Sequence, residues 1–150
     1  MKLEDEIKQK AFKNRRQRLL INILFTGGWL NAIQARMLKE YGISIQQYNL
    51  MRILRGQYPQ PATVNLLKER MLDKMSNASR LVERLRQNGL VERAINADDR
   101  RACDVVINDK GLALLAELDG VEQEWTDLIS HLSDQEVETL NVLLDKLRED

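Results

Sequence analysis

Residues 76–101 read SNASRLVERLRQNGLVERAINADDRR, and the fold turns on how this stretch is parsed. Ala78, Leu81, Val82 and Leu85 recur at three- and four-residue spacing, the stripe of an amphipathic helix. Asn77, Arg80 and Arg84 repeat the same spacing on the opposite side, so all three are expected to project together into solvent. Asn88-Gly89 is a stop signal, because glycine takes the left-handed conformation that closes a helix. Beyond it, residues 90–95 and 102–107 read as two strands, the second alternating Cys103, Val105 and Ile107 with Asp104, Val106 and Asn108. The tip between them, NADDRR, is polar, charged and too long for a two-residue turn.

Upstream, residues 63–70 form a short helix with Val64, Leu66 and Leu67 inward, and 71–74 a brief turn in which Asp73 or Ser76 caps the next helix. Two short helices joined by a tight turn are a helix-turn-helix unit, here with reader helices over 62–70 and 74–88 and a wing over 90–107. Farther upstream, residues 5–40 carry an apolar pattern at three and four, interrupted by Gly27-Gly28 as a kink or a close helix contact. Tyr41-Gly42 ends that helix, Ser44 caps another from 45 to about 55, and GQYPQP over 56–61 is a loop. Downstream, one helix runs from about 110 to 131, and Ser133-x-x-Glu136 is a capping box opening the last. These terminal helices carry more leucine than a 150-residue monomer easily covers, which predicts burial against a second copy.

The chain is neutral on average but not locally. Residues 1–62 hold 11 Lys/Arg against 4 Asp/Glu (+7), residues 63–103 hold 9 against 6 (+3), and residues 104–150 hold 3 against 13 (−10). One face toward polyanions and one turned away is the arrangement this predicts. A single cysteine excludes an internal disulfide framework and points to a reducing, cytoplasmic setting, and no apolar run is long enough to span a membrane. No enzyme is expected. One His and one Cys make no structural zinc site, no phosphate loop or nucleophile elbow is present, and no cofactor is implied. His131 near Ser130, Ser133 and Asp134 reads as a helix-end residue, and Cys103 as a strand cysteine.

Chemically, Arg pairs bidentately with guanine and Asn with adenine in the major groove, whereas arginines on a hairpin tip (Arg100 and Arg101) suit the narrow minor groove. Lys68, Arg70 and Lys74 flank the unit as phosphate contacts. The run Lys13, Arg15, Arg16 and Arg18 reads as a solvated face.

Residues 79–111, SRLVERLRQNGLVERAINADDRRACDVVINDKG, resemble the signature of the MarR family of winged-helix transcription regulators, and the likeness extends along the whole chain. It implies a mainly α fold with a small β-hairpin wing: a single domain over 1–150, with dimerisation helices over about 1–40 and 108–150 and a winged helix-turn-helix over about 44–107. It further implies a homodimer on a pseudo-palindromic duplex operator, usually repressing and often released by a small-molecule effector or by oxidation. Transferred residue by residue, the recognition-helix contacts fall on Ser76, Asn77, Ser79, Arg80 and Arg84, and the wing pair on Asp99 and Arg101, the aspartate orienting the arginine. An effector site between the dimer helices and the reader brings Trp29, Tyr41, Tyr48 and Arg52 into consideration. Two features depart from the pattern. The reactive cysteine of the peroxide-sensing branch is missing near the N-terminus, and the segment ERMLDKM over 69–75 replaces the usual small-residue turn. The rival reading, motivated by the zero net charge, is a ligand- or protein-binding adaptor that keeps the winged fold without DNA binding.

Overall fold

The computed structural model describes residues 1–95 and 103–149. Among the described residues, seven helices and three strands are arranged in the order α1 (Leu3–Glu6), α2 (Arg15–Lys39), α3 (Ile45–Gln57), β1 (Ala62–Thr63), α4 (Val64–Arg70), α5 (Ala78–Gln87), β2 (Val91–Ile95), β3 (Cys103–Ile107), α6 (Asp109–Asp127) and α7 (Asp134–Leu147). They fall into two compact units, Met1–Leu115 and Ala116–Asp150.

In the first unit the helix expected over 5–40 is split. Lys8 takes a left-handed backbone (φ 53°) after α1, and the chain re-enters a helix only where Asn14 Oδ1 accepts the N–H of Gln17 at 2.9 Å. α2 then runs straight through Gly27 and Gly28, where an added Cβ would meet nothing within 4 Å. The glycines therefore mark neither a break nor a close contact. Ser44 caps α3 as expected, in a full capping box with Gln47.

The strand β1 has no counterpart among the expected elements. Ala62 and Thr63 pair with Val105 and Asp104, so β3 lies between β1 and β2 in an antiparallel sheet of order β1-β3-β2. Val105 and Ile107, with Val91 opposite Ile107, are buried on the inner face. Helix α3 packs against α2, α4, α5 and β3. Leu50, Met51, Leu54, Leu67, Met71, Val82 and Leu85 fill the core with essentially no exposed surface, as a close-packed interior requires.

The joint between α5, β2 and α6 is built from backbone chemistry. Gly89 (φ 70°) donates to Arg86 O at 2.9 Å and Leu90 to Leu85 O at 3.0 Å, the paired bonds of a Schellman stop. Asn108 reaches back: its Nδ2 donates to Gly89 O at 3.0 Å, while its Oδ1 accepts from Gly111 N at 3.0 Å and so caps α6. Lys110 Nζ donates to Asn88 O at 3.0 Å. Gly111 is obligatory here, since a Cβ would sit 2.3 Å from Leu90 O and 2.7 Å from Ile107 Cγ1.

In the second unit Leu118 is buried, and α7 opens with the expected capping box, Ser133 N donating to Glu136 Oε2 at 2.9 Å. That hydrogen bond holds the Glu136 carboxyl below the usual glutamate range. No residue of α7 is buried, and Leu140, Val142, Leu143 and Leu147 are each about half exposed. No helix among the described residues is long and apolar enough to cross a membrane.

Candidate nucleic-acid interface

Helix α5 is strongly amphipathic. Ala78, Val82 and Leu85 are buried, while Ser79, Arg80 and Arg84 are exposed. Its start differs from the expected residue 74. Asn77 is the N-cap, in extended backbone, and its Oδ1 accepts the Arg80 N–H at 3.0 Å. Asn77 therefore does not share the helical spacing of Arg80 and Arg84. It stands ahead of them with its amide NH2 as the group left for a base or a phosphate. Ser76 is half-buried, with its hydroxyl out of solvent.

Glu83 is the one acid on α5, and it is already engaged. Arg86 clamps it through both oxygens, Nη2 to Oε1 at 2.7 Å and Nε to Oε2 at 3.0 Å, with Gln87 Nε2 adding a contact at 3.2 Å. The Arg86 guanidinium holds the Glu83 carboxyl below the ordinary glutamate range. Among the described residues, the guanidiniums of Arg80 and Arg84 have neither an ion-pair nor a hydrogen-bond partner. The helix thus neutralises its own acid with a cation on its flank and leaves two guanidiniums uncommitted at i and i+4.

Lys68 and Arg70 are exposed on α4. Lys74 Nζ instead donates to Glu69 O at 2.5 Å, closing the end of α4. The rest of the turn is pinned in the same manner. Leu72 N donates to Asn49 Oδ1 at 2.9 Å, Ser76 N to Asp73 O at 3.1 Å, and Met75 N to Asp73 Oδ1 at 3.0 Å. The Met75 N–H draws the Asp73 carboxyl below its usual range. Two large apolar side chains, Leu72 (84% exposed) and Met75 (92%), stand out from this turn. Their sequence signal is the unusual segment 69–75, which a periodicity argument registers only as an irregular turn.

The wing residues Asp99, Arg100 and Arg101 lie outside the described residues, where β2 and β3 lead toward them from paired Ile95 and Cys103. Of the candidates for an effector, Tyr48 is buried on α3 and Arg52 stacks its guanidinium 5.7 Å from the Tyr48 ring centroid. Trp29 on α2 and Tyr41 just after it are half-buried. The Arg18 of the N-terminal basic run pairs with Glu4 at 2.6 Å and ties α1 to α2. Ser133, near His131, is a helix cap engaged with Glu136, and no metal-ligating cluster occurs among the described residues.

Comparison with known proteins agrees with this geometry. Residues 41–102 match the model of the MarR family. A MarR transcription factor from Planctomyces limnophilus is 27% identical, with a TM-score of 0.69 over 90% of this chain and 98% of that one. A mutant of E. coli MarR complexed with operator DNA is 24% identical, with a TM-score of 0.75 over 99% and 100% of the two chains. Bordetella bronchiseptica BpsR, whose DNA binding is regulated by 6-hydroxynicotinic acid, is 18% identical, with a TM-score of 0.77 over 88% and 99%. None of the curated proteins matches the chain.

Proposed function

We propose, from the match of residues 41–102 to the MarR family model, that the protein is a cytoplasmic, sequence-specific regulator of transcription that binds duplex DNA as a homodimer. The observation that carries the proposal is the pair of uncommitted guanidiniums, Arg80 and Arg84, on the exposed face of a helix capped at its reading end by Asn77. Arginines with no internal partner are available for guanine edges or phosphates without first breaking an ion pair. Exposed Lys68 and Arg70 on the preceding helix flank that face, in the position of backbone contacts.

Two-fold presentation is the role proposed for the terminal helices. Leu19, Leu20 and Leu24 on α2, and Leu140, Leu143 and Leu147 on α7, leave apolar area that a second copy would cover. Two readers related by a two-fold axis bind a pseudo-palindrome with half-sites about one helical turn apart. Such binding occludes a promoter, so repression is the proposed direction. The operator complex of the E. coli relative supports the DNA reading, and the ligand-regulated relative supports an effector, for which the Tyr48–Arg52 stack is the candidate contact in this chain.

Selection of tight binders from a random duplex pool, with affinity then measured across salt concentrations, tests the proposal. A DNA reader neutralising several phosphates loses affinity steeply as salt rises and returns a symmetric site. A flat salt response, or no enrichment, would make the protein an adaptor on a winged-helix scaffold.

A further inference from the structure

Resting on the DNA-binding reading above, we infer that Met75 is a specificity residue that recognises the 5-methyl group of a thymine in the major groove, beside the bases met by Arg80 and Arg84. A solitary exposed methionine would be ordinary. This one is placed differently. It lies two residues ahead of Asn77, the cap of α5, and the first residues of a recognition helix are those that approach base edges. Its backbone is fixed, because its own N–H is held by Asp73 Oδ1 at 3.0 Å and the next residue donates to Asp73 O at 3.1 Å. The side chain is 92% exposed, so the anchored turn holds it out toward solvent and leaves it nothing of its own chain to cover it.

The surroundings select the occupant. Lys68 and Arg70 in the last turn of α4 and Arg80 in the first turn of α5 are exposed on either side of this turn, with Arg84 farther along α5. Of the nearby acids Glu83 is engaged by Arg86 and Asp73 by the turn itself, which leaves the exposed Glu69 against these four cations. A polyanion therefore approaches this surface more readily than an apolar peptide. The apolar feature that a polyanionic duplex offers in its major groove is the thymine methyl. An unbranched thioether, adaptable in shape, suits contact with a methyl group whose exact position varies with local DNA geometry.

The experiment replaces thymine by uracil, position by position, in a duplex selected by the wild-type protein, removing only the methyl group. Withdrawing one methyl-sized group from apolar contact corresponds to about a fourfold change in affinity. The wild-type protein is expected to lose roughly three- to tenfold at one thymine per half-site. Met75→Ala should lose a similar factor on the thymine duplex and bind thymine and uracil duplexes equally there. Met75→Leu should retain discrimination, and Leu72→Ala should leave it unchanged. Since Met75 is almost wholly exposed, the thermal unfolding midpoint of each variant serves as a check that it is folded. Undiminished discrimination by Met75→Ala, or no methyl-sensitive position in a site the wild type binds specifically, overturns the inference alone. A wild-type protein that binds no duplex overturns the proposed function as well.

Discussion

Arg84→Ala separates a base-reading arginine from a solvated one. Arg84 is exposed and unpartnered among the described residues, and arginine and alanine are both good helix formers, so the folded state should change by no more than about 0.5 kcal/mol. Binding should change far more. A bidentate arginine–guanine contact contributes about 1–3 kcal/mol of discrimination. A dimer makes that contact twice, so a symmetric operator should lose about 2–6 kcal/mol, or roughly 30- to 25,000-fold. Fluorescence anisotropy on the selected operator, and on duplexes in which each G·C pair of one half-site is replaced in turn, measures this. The expected pattern is a large loss on the operator and little further loss where the guanine met by Arg84 has already been removed. An equal loss on every duplex, with the salt slope falling by about two, would make Arg84 a phosphate contact at each half-site and refute the base-reading argument.

Three other outcomes are expected from the same geometry. Gly111→Ala drives a Cβ to 2.3 Å from Leu90 O, so overpacking should outweigh the gain in helix propensity by about 2 kcal/mol, whereas Gly28→Ala, in open space within α2, should stabilise by about 0.5–1 kcal/mol; thermal unfolding of the pair should shift in opposite directions. Because Arg86 lowers the folded-state pKa of Glu83, their pairing is present above the ordinary glutamate pKa and lost as pH falls through the lowered one; in Arg86→Ala the Glu83 carboxyl titration, followed by carbon NMR, should move up, and an unmoved midpoint would disprove the pairing. Leu140→Glu with Leu143→Glu, both about half exposed on α7, should convert a dimer to a monomer in sedimentation velocity with helix content unchanged, and a wild-type monomer at concentrations where the operator is bound would remove the dimer from the proposal.

The elements with strong local chemistry are legible in the sequence. The stripe Ala78–Leu81–Val82–Leu85, the Asn88-Gly89 stop and the Ser133–Glu136 box each contain their own signal within a few residues. The features that escape a reading of the sequence depend on distant partners. β1 is two residues long and exists because β3 offers an edge to Ala62 and Thr63, which no local pattern reveals. Sequence places the start of α5 too early because Asp73, Ser76 and Asn77 are all competent caps. The outcome rests on Asn77 reaching Arg80 N while Asp73 serves the turn. The break after α1 rests on Lys8 adopting a backbone that its residue type does not advertise. Of the candidate site, the outward arginines are readable from spacing, but their freedom is not, because it depends on which cation Glu83 chooses.

The joint at Asn108 has a mechanical meaning. Asn108 and Lys110 grip the carbonyls of Gly89 and Asn88 while Asn108 also caps α6, and Gly111 lets the backbones close to contact. The end of α5 and the root of α6 are thus two arms of one bracket. A tilt imposed on the first turn of α6 is therefore expected to pull on the C-terminal end of α5, the end that carries Arg84.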